Sequence, residues 1–130
     1  MGQECRLYHN EGGGKFVDVA PKLGVTGTAC SFACWFWDYD NDGHLDLYVN
    51  DYRARVAEVL LSAMGAKFEG SSRPRLYHDL GSGAFEDVTR SVGLDRAMAP
   101  MGVNFGYIDN DGILDIYRGT GGMSHEYIYI

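Results

Sequence analysis

The sequence predicts a mainly β protein: two four-stranded, antiparallel, propeller-blade-like repeats with one amphipathic helix inserted between them, forming a partial propeller or completing itself by self-association. Three observations predict it. "RLYHNEGGGKFVDVAPKLGV" from Arg6 recurs as "RLYHDLGSGAFEDVTRSVGL" from Arg75, and "DNDGHLDLY" from Asp40 recurs as "DNDGILDIY" from Asp109. Both pairs share an offset of 69 residues without a gap, and 18 of 44 aligned positions are identical, too many for chance. Within each copy apolar and polar residues alternate with period two, and between the copies the period becomes helical.

Taken in order, "RLYHN" reads as a strand, "EGGG" as a hairpin-type turn rich in glycine, and "KFVDVA" as the returning strand. A turn around Gly24 follows, then the strand "SFACWFWD", an acidic loop and the strand "LDLYVND". The second copy repeats this order with "LGSG", "AFEDVT", a turn at Gly93, "MGVNFGYI" and "LDIYRGT". Four strands per copy are expected to form one sheet, which must stack on neighbours to bury its faces. In "DYRARVAEVLLSAMGAK", Val56, Val59, Leu60, Ala63 and Met64 fall on one helical stripe, with Asn50 or Asp51 as N-cap and Gly65 or Gly70 as the stop. The stripe is expected to pack on the chain's own sheets, or to cover a sheet edge or another subunit. The layout is one domain over residues 1–130: repeat 1 at 5–51, helical insert and loop at 52–73, repeat 2 at 74–122, and the first strand of a next blade at 123–130.

Composition narrows the function classes. With 45% apolar residues the 130-residue chain can build a core, and a net charge of −7 with scattered basic residues argues against nucleic acid as a partner. No apolar run approaches the ~18 residues of a membrane span, and "MGQECRLYHN" lacks the features of a signal peptide. Cys30 and Cys34 stand about 13 Å apart if on one strand, too far for a disulfide; Cys5 with either remains open, and the odd count leaves at least one thiol free. No zinc-type cysteine spacing is present.

The chemistry concentrates in "DYDNDGHLDLYV", Asp38 to Val49. Asp38, Asp40, Asp42 and Asp46 occupy positions 1, 3, 5 and 9 around a tight turn at Gly43, and the His44 carbonyl at position 7 joins them. Converging carboxylates repel one another unless a cation sits among them, and the number of oxygens favours Ca²⁺ over Mg²⁺. An EF-hand is excluded because position 12 is Val49, not Glu, within a β-type run; dockerin-type loops repeat at far shorter spacing. In the second copy Tyr107 replaces the first carboxylate, leaving Asp109, Asp111 and Asp115 as a weaker or degenerate site.

These residues resemble the FG-GAP or VCBS-type repeats of integrin-α-like β-propellers: Phe105-Gly106 leads into "YIDNDGILDIY", and "DYDNDGHLDLYV" fits the family's D-x-D-x-D-G-x-x-D loop. The chain is also similar to bacterial FG-GAP-repeat proteins that carry an ASPIC/UnbV-type segment. The resemblance implies a β-propeller fold, Ca²⁺ as the ion, a structural or adhesive role without catalysis, and an extracellular or periplasmic setting, while the free thiol and the lack of signal-peptide features point the other way and leave localisation open. It implies ligation by Asp38, Asp40, Asp42, the His44 carbonyl and Asp46. Two copies do not close a propeller of about four to eight blades, so self-association or further blades of a longer protein is expected.

Two rival functions compete with a calcium scaffold. A metal-dependent hydrolase would use the carboxylates with His9 or His78, but the two histidines occupy the same position in both copies, which suits a structural hydrogen bond better. A glycan- or protein-recognition module would use exposed aromatics, with Trp35 and Trp37 on one strand face as the first candidates. No nucleophile elbow, phosphate loop or dinucleotide fingerprint is present.

Overall fold

A computed structural model describes residues 4–27, 30–53, 55–66, 73–98, 100–120 and 127–129. In chain order the elements are β1 (Tyr8–Gly12), β2 (Lys15–Asp18), α1 (Ala20–Leu23), β3 (Ser31–Trp37), β4 (Asp46–Asp51), α2 (Val56–Ala63), β5 (Arg75–Asp79), β6 (Phe85–Asp87), β7 (Pro100–Gly106), β8 (Asp115–Thr120) and β9 (Tyr127–Tyr129). The mainly β, antiparallel architecture with a helix between the repeats holds. The turn at Gly24 is the left-handed end of the one-turn α1, entered through Pro21.

The sheets are out of phase with the repeats. β1 pairs only with β2, the four-stranded sheet runs β3-β4-β5-β6, and the third sheet runs β7-β8-β9. The four-stranded sheet is therefore not one copy, as the repeat alone suggests: two strands come from the first copy and two from the second. The cause lies in β4, whose outer edge accepts the next copy's hairpin with Leu47, Tyr48 and Val49 opposite Tyr77, Leu76 and Arg75. In that register Leu47, Val49 and Tyr77 face one core while Tyr48 and Leu76 face the other. A one-residue slip would exchange the two sets.

Those two cores sandwich the central sheet. On one side Ala20 and Val25, with Cys5, Leu7 and Leu23, pack on Leu47, Val49 and Tyr77. On the other, Ile116 of β8 and Val103 of β7 join Trp37, Tyr48, Leu76 and Leu94. Every residue of β4 is buried, as expected of a strand covered on both faces. Trp37 is buried, and the half-buried Trp35 stacks on Tyr48 at 4.7 Å and lies 5.5 Å from Phe105. The tryptophans thus serve the packing between sheets. Leu76→Ala is expected to cost about 2–5 kcal/mol, and Leu7→Ala, at the equivalent but half-buried position, clearly less. Urea denaturation of both variants checks this, and equal losses would contradict the two-core arrangement.

Helix α2 departs from expectation at both its start and its face. Its N-cap is Arg55, whose N–H donates to Glu58 Oε2 at 3.1 Å; Asn50 and Asp51 remain in β4, held there by strand pairing. Gly65, at φ 77°, ends the helix, with Gly65 N–H donating to the Ser62 carbonyl and Ala66 N–H to that of Leu61. The alternative stop, Gly70, lies outside the described residues, as does the side chain of Ala63. Of the apolar stripe only Val59 is buried; Val56, Leu60 and Met64 are exposed. The periodicity marked a face correctly, but among its described side chains only Val59 is buried. Cys5, Cys30 and Cys34 are all free thiols.

Candidate metal centre

The acidic loop joins β3 to β4, two strands whose register ends at Trp37 opposite Asp46. The chain between them folds back through Asn41 at φ 59° and Gly43 at φ 90°, conformations that asparagine and glycine tolerate best. Asp38 drives the bend: its Oδ1 accepts the N–H of Asp42 at 3.0 Å and its Oδ2 that of Gly43 at 2.9 Å. Asp42 Oδ1 accepts the N–H of His44 at 2.8 Å, and Asp46 Oδ2 that of Tyr39 at 3.0 Å. Backbone donors therefore turn the carboxylates inward.

Oxygens of Asp38, Asp40 and Asp46 lie within 4.8 Å of one another, and so do ligand atoms of Asp40, Asp42 and His78. Ligands placed 2.3–2.6 Å from a shared Ca²⁺ would lie up to about 5 Å apart, so the oxygen set fits a hard cation. Asp38, Asp40 and Asp46 are thus brought together, while Asp42 falls with Asp40 and His78 in a second group. For His44 the structure shows the ring instead, set so close to Gly81 that a Cβ there would lie 2.6 Å from Nε2. The β5–β6 turn is therefore seated on the loop, and Gly81, at φ 67°, permits the approach.

His78 belongs to this centre, a placement that reading one repeat as one sheet could not reveal. Its Nδ1 lies 3.0 Å from Asp46 Oδ1 and 3.7 Å from Asp40 Oδ2, and its Nε2 lies 3.9 Å from Asp42 Oδ2. Partial burial lowers its pKa, but the Asp46 hydrogen bond and the charges of Asp46, Asp40 and Asp42 outweigh that and leave it raised. As imidazolium it is the loop's counter-charge. Asp46 is fully buried and also accepts the N–H of Asp79 at 2.8 Å, so one carboxylate ties the loop to both the β3–β4 and β5–β6 hairpins. The Tyr39 ring meets His78 edge-on, and burial followed by the Asp40 charge raises its hydroxyl pKa.

The second loop has the same backbone without the same cluster. Asn110 at φ 62° and Gly112 at φ 92° repeat the bend, and Asp115 Oδ2 accepts the N–H of Ile108 as Asp46 does that of Tyr39. Tyr107, exposed, cannot accept from Asp111 and Gly112, and Asp109 Oδ1 takes the Asp111 N–H instead. Among the described residues Asp109, Asp111 and Asp115 do not assemble into a group of metal-ligand distances.

No described helix is long and apolar enough to cross a membrane. A search of curated proteins finds no match. A scan against protein-family models matches the FG-GAP-like repeat at residues 2–49 and 57–118, one segment over each copy, the second also taking in most of α2, and together they span most of the chain. Repeats of this kind form interaction modules, and the internal offset, the paired bends and the antiparallel sheets agree: this chain belongs to the FG-GAP-like repeat family.

Proposed function

We propose that this chain is a calcium-binding, non-catalytic interaction module, with Ca²⁺ held in the loop of the first repeat by Asp38, Asp40, Asp42, Asp46 and the His44 carbonyl. The observation that carries the reading is the convergence of Asp38, Asp40 and Asp46 oxygens within 4.8 Å, in a loop bent by its own carboxylates. Hard oxygen donors of high negative charge favour Ca²⁺ over softer metals. A bound cation would relieve the carboxylate repulsion and fasten the loop on which the β5–β6 hairpin sits. The His78–Asp46 pair, which a hydrolase would use at substrate, instead joins two hairpins, and this supports a structural role.

Thermal unfolding of chelator-stripped protein tests the reading. Ca²⁺ at a hundred times its Kd adds about 2.7 kcal/mol, or roughly 10 °C for a domain of this size. Asp40→Ala is expected to abolish the rise. No shift, or an equal shift in that variant, would refute calcium binding in this loop.

A further inference from the structure

We propose that copies of this chain associate head to tail by strand complementation: the β1–β2 hairpin of one copy adds to β8 of the next, in the register that β5–β6 adopts on β4, and displaces β9. The proposal stands on strand geometry and does not require calcium.

The chain contains its own template for this contact. β1–β2 and β5–β6 are the same hairpin 69 residues apart, and β4 and β8 are the same strand at the same offset. β5–β6 lies on β4, and there Tyr77 is 3% exposed; among the described residues β1–β2 pairs with no other strand, and Tyr8, the counterpart of Tyr77, is 52% exposed. Phe16 is likewise exposed where Phe85 is half-buried. The Leu7 N–H donates to Asp18 Oδ1 and its carbonyl accepts from Val19, both on the β2 side. Because backbone groups of successive strand residues alternate in direction, those of Tyr8 face the open edge. A five-residue strand with one unpaired edge and an exposed tyrosine is built to be extended.

β8 is the complementary half. Its outer edge carries only the three residues of β9, with Ile116, Tyr117 and Arg118 opposite Tyr129, Ile128 and Tyr127. Those are the positions that the β4–β5 register assigns, after the offset, to Tyr8, Leu7 and Arg6. β9 is therefore a short stand-in for the strand of a hairpin. Two further observations favour a second copy as the occupant. Asp46 receives His78 and the Asp79 N–H on Oδ1, whereas among the described residues no group takes that place at Asp115, which is equally buried. The second copy's His9 would arrive there in the same register and complete the second loop. The same contact would carry the first copy's β7 over the face of the second copy's β3 that leaves Phe32 and Phe36 exposed, as β7 here lies on Trp35 and Trp37.

Sedimentation velocity of the full chain over a concentration series, with two single substitutions, decides the matter. Tyr8→Pro removes an edge N–H outside the β1–β2 pairing and is expected to leave the chain monomeric. Tyr129→Pro weakens β9 in the same manner and is expected to tighten association by about tenfold. These opposite signs cannot arise from general unfolding. A wild-type chain that stays monomeric even with Tyr129→Pro, or an association that Tyr8→Pro leaves unchanged, would overturn the proposal; the latter would indicate another surface, such as the exposed face of α2.

Discussion

Asp46→Ala is expected to destabilise the chain by about 3–5 kcal/mol, the largest loss from any residue of the acidic loop. The carboxylate is fully buried and meets the N–H groups of Tyr39 and Asp79 as well as the His78 ring. Alanine strands two backbone donors and leaves the imidazole without its nearest acceptor, and each unmet buried donor costs about 1–3 kcal/mol. Asp115→Ala, at the equivalent position, removes an acceptor that meets only the Ile108 N–H among the described residues, so it is expected to cost about 1–2 kcal/mol. Chemical denaturation of both variants in chelator separates this structural loss from any effect of metal. Equal losses would show that the link between the hairpins contributes nothing.

The second large effect is a gain. Tyr107→Asp is expected to raise the calcium affinity of the second loop by at least about tenfold, because it restores the first carboxylate of the cage to a bend whose backbone already matches the first loop. The new side chain would have the Asp111 and Gly112 N–H groups to accept from, as Asp38 has those of Asp42 and Gly43. Little is lost in exchange, since Tyr107 is exposed. Calcium titration by intrinsic fluorescence, with the first loop disabled by Asp40→Ala, reads the second loop alone. An unchanged weak response would mean that the missing carboxylate is not what separates the two loops.

The local part of this design was legible in the sequence because its information is local. Alternate aspartates around Gly43 fix a loop's curvature within nine residues, and Asp38, Asp40 and Asp46 do meet, with Asp42 beside Asp40 and His78. What the sequence hid was phase. A repeat can be read from any starting strand, and nothing in residues 6–49 states that β4 pairs forward with β5 rather than ending a sheet. The sequence suggested a structural hydrogen bond for His78 but not its partner for that reason, since only the cross-repeat pairing brings it to Asp46. Once strand order is permitted to span the copies, a histidine recurring at the offset beside an acidic or amide residue is the signal that would have found it. Helix α2 teaches a related limit: its stripe at Val56, Val59, Leu60 and Met64 was real, but amphipathicity does not say how much of a face is covered.

The most direct test of the calcium account is a calorimetric titration of chelator-stripped protein with Ca²⁺. Saturable binding of one ion per chain, lost in Asp40→Ala and retained in Asp109→Ala, is the predicted result. Heat that survives Asp40→Ala, or no binding at all, would contradict the placement of a calcium site in the first loop.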